Sequence, residues 1–231
     1  MAILKGSFPD SDTPVYTMPG EHPVLGNPID GPWEDPYEVI YVGMGCFWGV
    51  ERIMWNLPGV IATATGYMGG STRNPSYKAV CSGTTGHAEV VRVVFDPTKI
   101  DAEEIIKTFW ENHDPTQGDR QGNDRGTQYR SVLFTTTERQ LALAKASKDA
   151  FGEVLSKAGF GPITTEIDRA DDSGEFFLAE GYHQAYLFHI PDGYCMHGPN
   201  GYACPTGLLP VTETTEPVTK GFSEVSAIRL T

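Results

Sequence analysis

The order of apolar and polar residues along the chain predicts an alternation of β-strands and helices. Runs of β-branched and other apolar residues are typical of buried strands, whereas helical spacing, capping residues or a following proline indicate helices between them. Because long loops interrupt this alternation, we expect an α+β fold with a single mixed β-sheet and flanking helices. The predicted strands are 38–43, 60–66, 89–95, 131–135 and 163–167. The predicted helices are 47–57, 101–110 (N-cap Asp101) and 137–157 (N-cap Thr137), followed by a short amphipathic stretch at 177–187.

Both ends of the chain lack such periodicity. The N-terminal residues are rich in proline, which excludes a long helix, and they are expected to wrap over the domain as an extended arm. We therefore expect an extended arm at 1–37, a catalytic α+β domain at 38–190 and a C-terminal coil segment at 191–231. Long coil arms would then lie at both termini.

Composition excludes several classes of protein. The 231 residues include 17 Lys and Arg against 30 Asp and Glu, and the net charge of −13 argues against a nucleic-acid-binding surface. No apolar run approaches the ~18 residues of a membrane helix, and the N-terminus turns polar too early for a signal peptide. Four cysteines are too few for a disulfide-rich secreted scaffold. We expect a cytoplasmic protein with no membrane or nucleic-acid partner and with thiols that are reduced at rest.

The densest chemical signal is the segment 43–49, Gly-Met-Gly-Cys-Phe-Trp-Gly. Cys46 follows a predicted buried strand and lies at the first turn of a predicted helix, where unpaired N–H groups and the helix dipole favour a thiolate. A pKa below the ordinary ~8.5 is therefore expected for this thiol. Phe47 and Trp48 would form an apolar, aromatic wall beside the sulfur. The alternative is that Cys46 is a small, inert residue buried between strand and helix.

A carboxylate and a long polar loop offer further functional groups. Glu89 begins the most apolar predicted strand, so partial burial is expected to raise its pKa and keep it protonated as an acid. The alternative is a solvated glutamate at the end of a strand. Alternation places Glu89 on the same face as Val91 and Val93. The length and polarity of the loop 113–130 favour a functional loop, whose Asp and Tyr side chains orient a ligand or an acid, over an ordinary surface loop.

The other cysteines comprise a C-terminal pair and a single residue. Cys195 and Cys204 lie nine residues apart in a glycine-rich coil, and a flexible tether suits thiol–disulfide exchange with a distant sulfur. Half of a zinc site or two inert loop thiols are the alternatives, although zinc would need two more ligands at short spacing. Cys81 has no partner in the sequence and is interpreted as a packing residue.

Several segments occur in the order that is typical of one family. They are 45–49 (Gly-Cys-Phe-Trp-Gly), 66–70 (Gly-Tyr-Met-Gly-Gly), 74–77 (Asn-Pro-Ser-Tyr), 80–90 and 113–130. In these segments the chain resembles the A-type peptide methionine sulfoxide reductases, which act on the S epimer of methionine sulfoxide. The resemblance covers roughly residues 38–205 and includes Met18-Pro19-Gly20 in the arm. The fold expected is a ferredoxin-like split βαβ core, in a monomeric enzyme without a metal or an organic cofactor.

The resemblance implies a role for each residue of the catalytic centre. Cys46 would attack the sulfoxide sulfur while Glu89 gives a proton to the sulfoxide oxygen, assisted by hydrogen bonds from Tyr77 and Tyr129. Asp124 would lie in the same pocket and hold the substrate or a water molecule. A sulfoxide is a poor electrophile until its oxygen is protonated, so acid and thiolate must coexist and their titrations are coupled. The reaction leaves methionine and a sulfenic acid on the nucleophile.

The same resemblance implies a substrate wall and a recycling route. Phe47 and Trp48 would receive the methyl group of methionine sulfoxide, either free or in a protein. Cys195 would form a disulfide with the oxidised nucleophile, and Cys204 would pass the oxidation on to thioredoxin. The residues around this pair are less glycine-rich than is usual in the family, which leaves the order of exchange open. No role is assigned to the tail 206–231.

Two rival functions use the same residues differently. A cysteine hydrolase or acyltransferase would activate Cys46 with His87 or His183 as the base and would need no external reductant. An acidic binding module would keep its thiols as structural groups and would lose none on exposure to methionine sulfoxide. A disulfide oxidoreductase of the thioredoxin type is disfavoured because the chain has no Cys-x-x-Cys motif.

Overall fold

The computed structural model describes residues 20–209. Residues 1–19, which include Met18 and Pro19 of the family-like motif, and residues 210–231 of the expected tail lie outside the described residues. Within the described range no helix is long and apolar enough to cross a membrane.

A six-stranded sheet forms the centre of the fold. The strands between residues 20 and 209 are β1 (Glu38–Met44), β2 (Val60–Met68), β3 (Ala88–Phe95), β4 (Arg120–Gln121), β5 (Asp124–Arg125), β6 (Ser131–Thr135), β7 (Glu166–Arg169) and β8 (Phe177–Leu178). Their order in the sheet is β7-β6-β1-β3-β2-β8, whereas β4 and β5 form a separate hairpin. All neighbours in the main sheet are antiparallel except the parallel pair β6 and β7. The prediction of a single mixed sheet is confirmed for the core.

Two crossover helices complete the central motif. The α-helices between residues 20 and 209 are α1 (Phe47–Trp55), α2 (Tyr77–Cys81), α3 (Ala102–Glu111), α4 (Glu138–Lys157) and α5 (Tyr186–His189). Helix α1 connects β1 to β2, and α3 lies between β3 and β6. With the antiparallel order β6-β1-β3-β2, this is the expected ferredoxin-like split βαβ arrangement. The predicted N-caps are also present, because Asp101 accepts from the N–H of Glu103 and Thr137 accepts from the N–H of Gln140.

Two predicted elements have different bounds in the structure. The strand expected at 163–167 corresponds to β7, which begins only at Glu166. The preceding residues pair with a loop instead, because the N–H and the hydroxyl of Thr164 both donate to the carbonyl of Pro115, at 2.8 and 2.9 Å. The stretch 177–187 is not one amphipathic element: it starts in the edge strand β8 and continues through turns into α5. Long-range hydrogen bonds override the local pattern here.

Strand β3 shows how the two faces of the sheet are used. Val91 and Val93 belong to the main core, which α1, α3 and α4 cover. Val90 packs in a smaller cluster on the opposite face. On that face Arg92 donates a hydrogen bond of 2.6 Å to the carbonyl of Ile29 in the arm. The predicted alternation is confirmed, and it turns Glu89 towards α1, where the N–H of Phe47 donates to its carboxyl group.

The described part of the arm, residues 20–37, lies against β2 and β3. The Nε2 atom of His22 is 2.8 Å from the hydroxyl oxygen of Thr63, and the Asn27 side chain donates to the carbonyl of Ile61 at 2.7 Å. These contacts join the arm to the sheet with buried or half-buried hydrogen bonds. The boundaries expected for the arm, the domain and the C-terminal segment stay predictions.

Candidate active site

Cys46 lies at the junction of β1 and α1, where the chain turns at Gly45. Gly45 has a φ of 103°, a left-handed conformation that favours glycine, and a Cβ at this position would approach the Gln121 side chain to 2.6 Å. Cys46 is the N-cap residue of α1 and is only 7% exposed. The backbone N–H of Trp48 lies close enough to the sulfur to act on its pKa, although the side chain forms no cap hydrogen bond. The turn therefore places the sulfur at the start of a helix, as predicted.

Glu89 lies beside this sulfur at the start of β3. Its side chain is 1% exposed, and its Oε2 atom accepts a hydrogen bond of 3.1 Å from the N–H of Phe47. Burial, which this hydrogen bond offsets only in part, raises the pKa of Glu89 to about 8. The carboxyl group is therefore largely protonated at neutral pH, as an acid must be.

The pKa expected for Cys46 was wrong in direction. Burial raises the pKa of this thiol well above its ordinary value, and the charge of Glu89 raises it further. The backbone N–H of Trp48 lowers the pKa but does not compensate. A helix end favours a thiolate that is partly solvated, whereas this sulfur is buried next to a carboxyl group. In the free protein Cys46 is therefore a thiol, and a neutral Glu89 favours its ionisation.

Tyr77, Tyr129 and Asp124 surround the thiol and the acid. Burial raises the pKa of the Tyr129 hydroxyl, and the charges of Glu89 and Cys46 act in the same direction. Burial and the charge of Glu89 also raise the pKa of Tyr77, the first residue of α2. The charge of Asp124, in the β4–β5 hairpin, raises the pKa of both Glu89 and Cys46. The structure therefore brings together all five residues predicted for the catalytic centre.

The loop 113–130 owes its order to polar groups. The Gln121 amide donates to the carbonyl of Asp114 at 2.9 Å and accepts from the N–H of the same residue at 3.2 Å. A short 3₁₀ turn, Thr127–Tyr129, then carries the second tyrosine of the site to the pocket. Polar contacts thus replace the apolar contacts that the loop lacks.

Aromatic rings pack beside the nucleophile. Phe47 is buried, and Trp48 stacks on Tyr186 at a centroid distance of 3.9 Å. The indole N–H of Trp48 donates to Nδ1 of His183 at 3.0 Å, which fixes the orientation of the indole ring. The rings of Phe47 and Trp48 lie 6.4 Å apart. They form the apolar wall that the sequence predicted.

Glu180, which was not predicted from the sequence, joins this wall to the polar side of the site. Its Oε2 atom accepts from the hydroxyl of Tyr67 at 2.9 Å, and its Oε1 atom accepts from the N–H of Tyr77 at 2.8 Å. It also lies 4.0 Å from Nε2 of His183. The available signal was the dense run of polar and aromatic residues at 180–186, Glu-Gly-Tyr-His-Gln-Ala-Tyr.

Cys195 reaches the first turn of α1, whereas Cys204 is held on α3. The Cys195 sulfur lies 2.9 Å from the position that a Cβ atom on Gly49 would occupy. Cys204 is buried, and its N–H donates to the carboxylate of Glu111 at 2.8 Å. Burial and the charge of Glu111 raise the pKa of Cys204 to about 12. All four cysteines are free thiols.

Cys81 is not the packing residue that was expected. It is the last residue of the five-residue helix α2 and is exposed. Only Ala79 and Val80 of this helix are buried. Partial burial of the sulfur still raises the pKa of Cys81, and the nearby Tyr77 hydroxyl offsets this in part.

Neither histidine of the hydrolase alternative is placed as a base for Cys46. Both ring nitrogens of His87 contact backbone groups of residues 70–72, at 3.1 and 2.7 Å. His183 uses its Nδ1 atom to accept the indole N–H of Trp48. Between residues 20 and 209, no group of three or more His, Cys, Asp or Glu side chains could hold a metal ion. The carboxyl group of Glu89 therefore lies beside the Cys46 thiol, whereas both histidines have other partners.

Known proteins share both the sequence and the fold. The family model for peptide methionine sulfoxide reductase matches residues 38–202. The chain is 59% identical over 203 residues to the peptide methionine sulfoxide reductase MsrA of Salinispora tropica. The aligned region covers 87% of this chain and 91% of the relative. It is 54% identical over 191 residues to MsrA of Corynebacterium glutamicum (strain R). This aligned region covers 83% of the chain and 88% of that relative.

Two solved structures resemble the protein closely enough to compare the whole domain. Methionine sulfoxide reductase A of Corynebacterium diphtheriae is 41% identical with a TM-score of 0.76, over 88% of this chain and 97% of that chain. Mxr1 from Saccharomyces cerevisiae in its reduced form is 37% identical with a TM-score of 0.62, over 71% and 92%.

The fold and the site define a thiol-dependent oxidoreductase. A buried thiol adjoins a protonated acid, and a second thiol docks on the same helix turn. The chain belongs to the peptide methionine sulfoxide reductase family, and the resemblance to its A-type members is confirmed. A binding module with purely structural thiols is thereby excluded.

Proposed function

We propose that the protein reduces the S epimer of methionine sulfoxide, free and in proteins, and so repairs oxidised proteins. The observation that carries the proposal is the 3.1 Å hydrogen bond from the Phe47 N–H to the carboxyl group of Glu89, which fixes an acid beside the Cys46 thiol. The names of the relatives from Salinispora and Corynebacterium give peptide methionine sulfoxide as their substrate, which supports the same assignment.

In the proposed reaction the substrate sulfur is reduced and Cys46 is oxidised. Glu89 gives its proton to the sulfoxide oxygen, which makes the substrate sulfur electrophilic, and the Cys46 sulfur attacks it. An S–S bond forms, and the S–O bond breaks as the oxygen leaves as water with the protons of Glu89 and of the thiol. A water molecule then attacks the Cys46 sulfur and returns one proton to Glu89, the S–S bond breaks, methionine leaves with the electron pair, and Cys46 becomes a sulfenic acid. This half-reaction needs no outside reductant.

The surrounding side chains orient the sulfoxide. Tyr77 and Tyr129 donate hydrogen bonds to its oxygen, and their raised pKa values keep both hydroxyls protonated for this purpose. Asp124 holds the polar part of the substrate or a water molecule.

Phe47 and Trp48 receive the methyl group of the substrate. The stacked pair of Trp48 and Tyr186, at 3.9 Å between centroids, gives the wall a fixed shape. A rigid apolar surface for the methyl group and hydroxyl donors for the oxygen hold two substituents of the sulfoxide sulfur in fixed positions. This asymmetry favours one epimer.

Two further thiols return Cys46 to its reduced state. Cys195 attacks the sulfenic acid, so that a disulfide forms and water leaves. Cys204 then exchanges with this disulfide, and the dithiol of thioredoxin supplies the two electrons that reset the enzyme. Because Cys204 is 5% exposed on α3, this second step requires the segment to leave its position. Action as a monomer in the cytoplasm stays a prediction.

The test is incubation of the full chain with each sulfoxide epimer separately, without reductant. We expect one burst of methionine with the S epimer, accompanied by loss of free thiols, and none with the R epimer as matched control. Cys46→Ser should release no methionine with either epimer. Retained activity of Cys46→Ser, or turnover without thiol loss, would contradict the proposal.

A further inference from the structure

His197 is a titratable side chain that the reaction described above does not use. It follows Cys195 by two residues and docks, like Cys195, on the junction of β1 and α1. The ring contacts the carbonyl of Met44 through Nε2 at 2.8 Å. The inference drawn from this contact rests on the proposed relay role of Cys195.

The contact with Met44 fixes the tautomer of the His197 ring. A carbonyl oxygen only accepts hydrogen bonds, so Nε2 carries the hydrogen and donates it. In the neutral ring Nδ1 is then unprotonated and presents a lone pair. Within residues 20–209 this Nδ1 atom is buried and has no hydrogen-bond partner. A lone pair that is buried in this way needs a donor beside it.

The thiol of Cys195 lies beside Nδ1, although in the free protein it donates to the carbonyl of His197 at 3.9 Å. A Cβ atom added to Gly49 would overlap His197 Nδ1 and would lie 2.9 Å from Cys195 Sγ, so both atoms converge on one point above the first turn of α1. The His197 side chain is the largest of the effects that lower the pKa of Cys195, to about 7. Burial instead raises the pKa of the other three cysteines.

We propose that His197 Nδ1 takes the proton of the Cys195 thiol and supplies it to the hydroxyl group that leaves Cys46. The S–H bond of Cys195 breaks and an N–H bond forms on the ring. The thiolate attacks the sulfenic sulfur, an S–S bond forms and the S–O bond of Cys46 breaks. The leaving hydroxide takes the proton from Nδ1 and becomes water. Cys195 is oxidised, Cys46 is reduced, and no further reactant is needed.

The test follows single turnovers of the full chain without external reductant. His197→Gln keeps an amide N–H that can reach the Met44 carbonyl but removes the Nδ1 acceptor. Quenched-flow samples are analysed for methionine and, by mass spectrometry after alkylation, for the Cys46–Cys195 disulfide. At pH 7 we expect an unchanged methionine burst and disulfide formation that is slowed roughly 10²-fold, the low end of typical general acid–base effects.

The pH dependence separates a proton acceptor from a merely structural contact. The wild-type rate of disulfide formation should level off above about pH 7, whereas the variant rate should rise until the ordinary thiol pKa of ~8.5 is passed. Above that pH the rates of disulfide formation in the wild type and in His197→Gln should converge. The other titratable groups that face the pair are Arg52, Tyr194, Cys46 and, on the ring side, His113. They are present in both proteins, so their ionisation largely cancels in the ratio of rates.

A matched control is His189→Gln, which alters an exposed histidine of α5 and should behave as wild type. A His197→Gln protein that is slowed equally at every pH, or not at all, overturns the role of His197. Failure of the wild type to release methionine would overturn the proposed function instead, and a disulfide without Cys195 would overturn the relay.

A second measurement applies if His197→Gln does not fold. In ¹⁵N-histidine NMR of the reduced wild type, an unprotonated Nδ1 whose chemical shift changes when Cys195 is alkylated supports the inference. A protonated Nδ1 in the neutral ring, or no response to alkylation, overturns it.

Discussion

The backbone N–H of Phe47 donates a hydrogen bond of 3.1 Å to the buried carboxyl group of Glu89. The residue that follows Cys46 is thus bonded to the carboxyl group of Glu89, and one turn of backbone positions both the thiol and the carboxyl group. Their ionisation is coupled, because a negative Glu89 raises the pKa of the Cys46 thiol and a neutral one removes that effect. Protonated acid and ionised sulfur therefore favour each other.

Replacing Glu89 by glutamine should reduce the rate of methionine release by about 10²–10⁴-fold, the usual size of general acid catalysis. The protonated carboxyl group is the active form and its pKa is about 8. The wild-type burst rate should therefore fall as the pH rises through 8, and Glu89→Gln should lack this decrease. Stopped-flow rates between pH 6 and 10 check both, with the exposed Glu175→Gln as control. An unchanged pH profile in Glu89→Gln would contradict the assignment.

Gly49→Ala should separate the two half-reactions. Alanine suits a helix better than glycine, by about 1 kcal/mol, but its Cβ would lie 2.9 Å from Cys195 Sγ and would overlap the neighbouring histidine. The docked segment must move away, so we expect a normal methionine burst and disulfide formation slowed about tenfold, a shift of about 1.4 kcal/mol in the barrier. Gly152→Ala in α4 is the matched control, because its nearest neighbour is 3.8 Å away. Equal disulfide rates in the two variants would refute the steric argument.

The sequence predicted those structural features that depend on interactions between neighbouring residues. The N-caps Asp101 and Thr137, the strand at Glu89 and the position of Cys46 at a helix start all follow from neighbouring residues and were predicted. The direction of the Cys46 pKa could not be predicted, because it depends on how deeply a distant strand and its carboxyl group bury the sulfur. Periodicity contains no information on that depth.

The sequence also did not predict contacts between distant segments of the chain. Glu180 bonds both Tyr67 and Tyr77, but nothing in its own neighbourhood shows that these two tyrosines approach it. The exposure of Cys81 likewise depends on how a short helix lies on the pocket, and a residue without a sequence partner need not be a core residue.

Cys204→Ser should complete one turnover and form the first disulfide, but its steady-state rate with thioredoxin should fall at least tenfold. Its thiol accepts the oxidation from Cys195 only after the bond between its own N–H and the Glu111 carboxylate, 2.8 Å long, has opened. The measurement is NADPH consumption with thioredoxin and its reductase, alongside the methionine burst. Undiminished turnover with thioredoxin would remove Cys204 from the relay.

Tyr194→Phe should lower the KM for methionine sulfoxide about two- to tenfold and leave the burst rate unchanged. In the free protein the Tyr194 hydroxyl donates to Asp124 at 2.9 Å, so the substrate has to displace the tyrosine from a residue of its own pocket. A hydrogen bond of this kind contributes about 0.5–1.5 kcal/mol net, which sets the size of the effect. The exposed Tyr37→Phe in the arm is the control. A KM that is unchanged or higher in Tyr194→Phe would mean that the tyrosine assists the substrate instead of competing with it for Asp124.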